Sequence, residues 1–196
     1  MTQAYRMHLP PTTLDGADAD QRRVLERARE RLGFVPNMYA NMVASPGLLE
    51  TYMDGYERFR ADSGFTAGEQ EVVFLTISRI NGCTYCMAAH SMLATKVAKL
   101  PSTEIEALRT GGELADPKLR ALATFTEGVV ESRGRPSTQS TNAFLAAGFG
   151  ERHVLEIVLA LAVKTLSNYA NHLFEPALDD PFAPFAWNPS TVRDAA

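Results

Sequence analysis

The chain has 196 residues, of which 45% are hydrophobic and 21% are charged, and its formal net charge is −4. This composition is ordinary for a folded protein, and we expect a single domain over residues 1–196. The sequence has no cluster of Lys and Arg, which argues against a nucleic-acid or membrane partner, because both need concentrated positive charge. The N-terminus lacks the apolar core of a secretory signal, so we expect a cytoplasmic protein.

Apolar residues at helical spacing fill the first half of the chain, after an N-terminal arm over residues 1–16. Capping residues and Gly or Pro stops divide this half into separate helices. The predicted helices cover about 18–32, 37–43, 46–59 and 66–80. The last of them opens with Thr66 and Glu69, which have the spacing of a capping box.

The second half also predicts helices and no strand, since no stretch alternates polar and apolar residues as a strand does. One helix runs from the cysteines to about Lys99, and the others cover about 102–110, 117–133, 137–147 and 151–174. The helix over 151–174 is apolar nearly all round, so we expect it to be central. The tail over residues 175–196 has four prolines and aromatic residues, so we expect it to wrap a neighbouring surface, with Trp187 at a subunit contact. The predicted class is therefore all-α, a bundle of about eight helices with extended arms at both ends.

Two cysteines and a histidine carry the chemical signal. Cys83, Cys86 and His90 stand three and four residues apart, which places their side chains on one face of a helix. A cysteine at a helix N-terminus is close to free backbone N–H groups, which favour the reactive thiolate. Such a thiolate can attack a peroxide, after which the second cysteine captures the sulfenic acid as a disulfide. The same pair could instead exchange with a disulfide substrate, and spacing does not separate the two reactions.

Glu71 is placed to act with His90. It lies eleven residues before Gly82, and His90 lies eight residues after it. If the two helices pack as an antiparallel hairpin, the offset between the two side chains is about 4.5 Å. A carboxylate and one water can bridge this distance, so we expect Glu71 to orient His90 and to charge it.

The pattern of Glu71, eleven intervening residues, Cys83-x-x-Cys86 and then x-x-x-His90 resembles the alkyl hydroperoxidase D branch of the carboxymuconolactone decarboxylase family. The similarity extends over most of the chain, including residues 166–169. It is closer to the larger peroxidase-related members than to the short decarboxylases, which generally lack the cysteine pair. The resemblance implies a helical fold of the alkyl hydroperoxidase D-like type and a thiol-dependent peroxidase that reduces a small hydroperoxide. It also implies a homo-oligomer, trimeric or hexameric, and reduction by a dithiol such as a lipoyl group. We expect no cofactor and no bound metal.

The same resemblance implies a role for each residue. Cys86 corresponds to the peroxide-attacking cysteine, Cys83 to the resolving cysteine, and Glu71 with His90 to a proton relay. The helix dipole alone would favour Cys83 as the attacking thiolate. The best-known member of the family has a histidine directly before the second cysteine, where this chain has Tyr85, which we expect to form pocket wall.

Other functions remain open from the residues alone. A lyase of the decarboxylase type would protonate an enolate and leave the thiols idle, and a non-enzymatic redox-sensing subunit would oxidise its thiols slowly and without turnover. A CxxC pair can also belong to a zinc site or be inert packing, although only His90 has a ligand-like spacing here. We expect Asn168, Asn171 and His172, near the end of the longest helix, to satisfy backbone groups.

Overall fold

The computed structural model describes residues 4–192, so the first three residues of the predicted arm and the last four of the tail lie outside the described residues. Within 4–192 the chain forms nine α-helices and two short 3₁₀ helices, and it has no β-strand. In chain order the α-helices are α1 (Ala19–Leu32), α2 (Asn37–Met42), α3 (Pro46–Asp62), α4 (Ala67–Ile80), α5 (Thr84–Lys96), α6 (Ser102–Thr110), α7 (Pro117–Glu131), α8 (Thr138–Ala146) and α9 (Glu151–Phe174). The 3₁₀ helices are Ala183–Phe185 and Pro189–Thr191. The all-α prediction is confirmed, and no described helix is both long and apolar enough to cross a bilayer.

Local sequence sets the helix boundaries. Asp18 and Gln21 form a capping box at the start of α1, and Gly33 ends that helix in the left-handed region, which glycine adopts without strain. The predicted capping box of α4 is also present. The backbone N–H of Thr66 donates to Glu69 Oε2 at 2.8 Å, and the Thr66 hydroxyl accepts from the Glu69 backbone N–H at 3.3 Å.

The central helix is α4, whose residues 69–78 are all buried. It packs against α5, α6, α7 and α9. The longest helix, α9, buries one face against α3 and α4, but Leu155, Val158 and Tyr169 of α9 are largely exposed. The prediction that α9 is central is therefore met only in part, because α9 contacts α2, α3, α4, α5 and α7 but leaves one side exposed. The polar side chains of α4 make it resemble a surface helix in the sequence. They are buried all the same, because their partners offset the cost of removing them from water.

The C-terminal tail packs back onto its own chain. Asp179 accepts hydrogen bonds from the backbone N–H of Asn37, at 3.1 Å, and from the Tyr85 hydroxyl. Trp187 is buried, and its indole N–H donates to the backbone oxygen of Arg109 at 2.8 Å. Trp187 therefore packs within its own chain, and a subunit contact at this residue stays a prediction.

Candidate active site

The turn between α4 and α5 sets the positions of the cysteines. Gly82 has φ of 70°, a left-handed conformation that would strain most other residues. The backbone N–H of Cys83 then donates to the Ser78 carbonyl oxygen at 2.9 Å, and Cys83 becomes the N-cap of α5. Cys86 and His90 follow on the same helix, and all three side chains are buried. Both thiols are free.

Glu71 of α4 contacts His90 directly. Its Oε2 atom lies 2.8 Å from His90 Nδ1, which is closer than the water-bridged arrangement expected from the helix offset. Its Oε1 atom lies 2.6 Å from a guanidinium nitrogen of Arg60 on α3, and Arg60 in turn donates to the Tyr56 hydroxyl at 2.7 Å. Burial raises the pKa of Glu71, but the contacts with His90 and Arg60 outweigh burial, so the net shift of the pKa is downward. Glu71 is therefore a carboxylate at neutral pH.

His90 is held as a neutral imidazole. Burial, and then the positive charge of Lys164, lower the pKa of His90 to about 4. The expectation that Glu71 charges His90 is therefore not met at neutral pH, although the carboxylate does orient the ring. Because Glu71 is anionic, we assign the ring proton to Nδ1, which donates to the carboxylate. Nε2 then accepts a hydrogen bond from Nζ of Lys164 on α9, at 3.0 Å.

Two further side chains of α9 contact the thiols. The hydroxyl oxygen of Ser167 lies 3.8 Å from the sulfur of Cys86. The amide nitrogen of Asn171 lies 3.5 Å from the sulfur of Cys83 and 3.4 Å from that of Cys86. Since one amide contacts both sulfurs, the two sulfurs are neighbours. Asn171 can therefore donate a hydrogen bond to whichever sulfur is ionised.

The two thiols differ in their acidity. The pKa of Cys83 is lowered to about 6, first by a hydrogen bond with Cys86 and also by Asn171 and Lys164, although burial opposes the shift. Burial raises the pKa of Cys86, and the neighbouring Cys83 raises it further. The reduced pair therefore carries one shared negative charge near neutral pH, which rests on the Cys83 sulfur.

A largely apolar cavity of about 290 Å³ lies beside His90. Tyr52, Tyr56, Tyr85 and Phe182 form much of its wall, and its described lining includes no Lys, Arg, Asp or Glu. Burial, together with the hydrogen bond to Asp179, raises the pKa of Tyr85, so this hydroxyl stays neutral. Tyr85 lies in the wall of the cavity and ties the tail to α5.

Sequence reasoning missed Arg60, Lys164 and Ser167, and it assigned Asn171 to backbone groups, whereas its amide contacts the thiols. A signal for the α9 residues was present. Polar residues at 164, 167 and 171 interrupt an apolar helix with the same three-then-four spacing as 83, 86 and 90 on α5. His172, by contrast, is exposed, and within residues 4–192 no three His, Cys, Asp or Glu side chains lie close enough together to hold a metal ion.

Comparison with known proteins places this geometry in a family. Residues 46–128 match the sequence model of the carboxymuconolactone decarboxylase family, and this range contains Glu71, Cys83, Cys86 and His90. This segment belongs to the carboxymuconolactone decarboxylase family. The α9 residues that contact the thiols lie outside the matched range. No curated protein is significantly similar to the chain in sequence.

Solved structures show that the fold extends beyond the family segment. A peroxidase-related protein from Ralstonia eutropha JMP134, described as an alkylhydroperoxidase AhpD core, has a TM-score of 0.77 and 22% identity, over 89% of this chain and 93% of that chain. A peroxidase-related protein from Silicibacter sp. TM1040 has a TM-score of 0.69 and 20% identity, over 92% of this chain and 97% of that one. A cysteine-to-alanine variant of the debrominase Bmp8, in complex with 2,3,4-tribromopyrrole, has a TM-score of 0.73 and 16% identity, over 93% of this chain and 97% of that one. At these identities the likeness shows a shared alkylhydroperoxidase D-like fold.

Proposed function

We propose that the chain is a thiol-dependent peroxidase that reduces small apolar hydroperoxides with the Cys83 and Cys86 pair. The observation that carries this proposal is the meeting, in one buried site, of two neighbouring thiols that share an amide donor and an imidazole that a carboxylate orients. A low-pKa thiolate beside a second thiol is the arrangement that peroxide reduction with internal resolution needs. A cytoplasmic location, where thiols stay reduced, fits this chemistry.

The two cysteines together supply the two electrons that reduce the hydroperoxide. As Cys86 attacks, its proton passes to the Cys83 sulfur, and the Cys86 sulfur bonds to the terminal oxygen of the hydroperoxide. The O–O bond breaks, the alkoxide takes a proton from solvent water and leaves as an alcohol, and Cys86 becomes a sulfenic acid. Cys83 then attacks that sulfur, the S–S bond forms and water leaves, with the Cys83 proton completing the water. The disulfide returns to two thiols by exchange with a dithiol reductant, for which a lipoyl group is our first candidate.

The cavity beside His90 supports an apolar substrate. Its aromatic walls favour a carbon skeleton, and the lack of charged side chains in its described lining offers nothing to bind an anion. A larger cavity of about 370 Å³ shares Tyr39 and Tyr56 with this one and includes Arg60, but its lining does not include His90, and neither lining includes a cysteine. We therefore assign the substrate to the cavity beside His90.

A homo-oligomer, trimeric or hexameric, is also part of the proposal. Leu155, Val158, Tyr169 and Leu173 of α9 leave an apolar strip exposed along one side of the helix. Contiguous exposed apolar surface of this kind is typical of subunit interfaces.

The peroxidase proposal can be tested by exposing the reduced protein to a small excess of an aromatic alkyl hydroperoxide. The wild type should rapidly lose both thiols and about 2 Da of mass, and a sulfenic acid should accumulate only in Cys83→Ser. Accumulation only in Cys86→Ser would reverse the two cysteine roles. Thiols that stay unchanged in the wild type would contradict peroxide reduction altogether.

Reductive dehalogenation is a second candidate, favoured by the aromatic cavity and by the likeness to a debrominase that binds a brominated pyrrole. Here the pair would reduce a carbon–bromine bond, so that a C–H bond forms, bromide leaves and the two thiols become a disulfide. Release of bromide from a brominated pyrrole, without loss of thiols to a hydroperoxide, would favour this function. A thiol-independent lyase would instead keep its activity after both thiols are alkylated.

A further inference from the structure

Lys164 is a buried cation for which the peroxidase scheme gives no role. Its side chain is completely buried, and its ammonium lies 3.0 Å from His90 Nε2 and 5.4 Å from the centre of the Phe74 ring. Across residues 4–192, His90 is its only hydrogen-bond partner, and no carboxylate lies within ion-pair distance. A buried ammonium without an anion costs several kcal/mol, so an anion near Lys164 would offset a large unfavourable term.

The charges around Lys164 identify which anion this is. Arg60 and Glu71 form an ion pair and neutralise each other, and His90 is neutral. Lys164 therefore leaves the site with one net positive charge as long as both thiols are protonated. Ionisation of one thiol removes this excess charge.

The packing of α9 on α5 directs Lys164 towards the thiols. Asn171 and Ser167 contact the sulfurs, and Lys164, one turn before Ser167, contacts His90. The three contacts follow in antiparallel order along the two helices, so Lys164 lies on the same face of α9 as the two residues that touch the thiols. Its positive charge lowers the pKa of both cysteines.

We propose that Lys164 is the counter-ion of the thiolate in the Cys83 and Cys86 pair, and that it also fixes His90 as the neutral tautomer with an unprotonated Nε2. Lys164 is therefore a positioning residue: it orients His90, and its positive charge stabilises the thiolate. The proposal rests on the thiol part of the proposed function, and it holds for any oxidant that the pair reduces.

Other groups near Lys164 do not account for a titration near neutral pH. The ionisable and charged groups that face it and the thiols are His90 and Tyr85 of α5, Glu71 of α4, Arg60, Tyr52 and Tyr56 of α3, and Tyr39 of α2. Burial raises the pKa of each tyrosine, so these phenols stay neutral. Glu71 stays ionised and Arg60 stays charged over the same range. The Cys83 thiol is therefore the group that titrates around neutral pH.

The test measures thiolate formation against pH in the absence of any peroxide, by ultraviolet absorbance of the reduced protein. Lys164→Met removes the charge, and Lys164→Gln removes the charge but keeps an N–H donor for His90. Both variants should raise the pH midpoint of thiolate formation by about one unit or more, because the thiolate loses the nearby positive charge that stabilises it. Lys118→Met is the matched control, because Lys118 is half exposed and pairs with Glu69 on the opposite side of α4 from the thiols.

The outcomes separate a counter-ion from a packing residue. A midpoint that stays within about 0.3 unit of the wild-type value in both Lys164 variants, with folding verified by circular dichroism, would overturn the proposal. A wild-type midpoint in Lys164→Gln alone would overturn it too, because the hydrogen bond and not the charge would then control ionisation. The assay contains no peroxide, so failure of the peroxidase function leaves its result intact.

Discussion

Replacement of Glu71 by Gln tests the buried relay most directly. The carboxylate joins His90 on one oxygen and Arg60 on the other, at 2.8 and 2.6 Å. Glutamine has nearly the same shape, but its amide N–H₂ must face one of these two donors. The variant therefore leaves either the imidazole N–H or the guanidinium without an acceptor, and it leaves Arg60 without its anion.

The structure sets the size of the expected loss of stability. Removing one partner of a buried ion pair costs about 3–5 kcal/mol. The side chain of Glu71 is 3% exposed but that of Arg60 is 22% exposed, so water relieves part of the penalty on the arginine. We expect Glu71→Gln to lower the free energy of unfolding by about 2–4 kcal/mol, which corresponds to a fall in Tm of about 5–15 °C for a chain of this size.

The loss of activity should exceed what unfolding explains. Without the carboxylate, His90 is no longer held as the Nδ1–H tautomer, so its Nε2 lone pair no longer faces Lys164 reliably. A positioned acid or base typically contributes about 10²–10⁴-fold to a reaction rate. We therefore expect the rate of hydroperoxide reduction in Glu71→Gln to fall by about 10²-fold or more. The assay is peroxide consumption with a dithiol reductant, well below the Tm of the variant.

Glu69→Gln is the matched control for this prediction. Glu69 is a buried carboxylate on the same helix, but it pairs with Lys118 at 2.7 Å and caps α4 through Thr66. Its replacement should cost about 1 kcal/mol or less, because Lys118 is half exposed, and should leave the rate unchanged. Equal rates in Glu71→Gln, Glu69→Gln and the wild type would refute the relay.

Three other perturbations test separate parts of the structure. The pKa of His90 is about 4 in the folded chain against an ordinary 6.5, so the unfolded chain binds this proton first as pH falls. The free energy of unfolding should therefore drop by about 3 kcal/mol between pH 6.5 and 4, and by less in His90→Gln. Urea titrations at several pH values measure this drop. Tyr85→Phe removes the hydrogen bond to Asp179 and should speed proteolytic cleavage of the tail, and an unchanged cleavage rate would show that this hydrogen bond does not hold the tail on α5. Phe125→Ala breaks a stack with Phe144 at 4.3 Å between ring centres and should cost about 3–5 kcal/mol in calorimetry, while the rate per folded molecule stays constant.

The half of the site on α4 and α5 could be predicted from sequence because local spacing fixes it. Cys83 caps the helix that carries Cys86 and His90, and a three-residue connection fixes the offset of Glu71 from His90. The actual contact is tighter than the estimated offset, since the side chains point at each other across the helix interface. The charge of His90 was not predictable in the same way, because it depends on burial and on Lys164, 74 residues away in sequence.

The fold was predicted well at the level of helices and less well at the level of layers. Caps and stops locate most helix ends, although α5 ends at Lys96, before the expected Lys99. Hydropathy alone favoured α9 as the centre, whereas the centre is α4, which carries Glu69, Gln70 and Glu71 in its buried face. A hydrophobicity count cannot recognise such a helix, since its polar groups are buried only because partners on α3, α5 and α7 pair with them.

The site is divided between the matched segment and α9, and this has a consequence for other proteins with the same cysteine motif. The matched segment supplies the thiols, the imidazole and the carboxylate, but the cation and the amide that stabilise the thiolate come from α9, beyond that segment. Proteins that share the cysteine motif can therefore differ in thiol acidity by changes on α9 alone. Since thiolate fraction and leaving-group quality both depend on this acidity, residues 164 and 171 are positions at which one fold can be tuned for different oxidants.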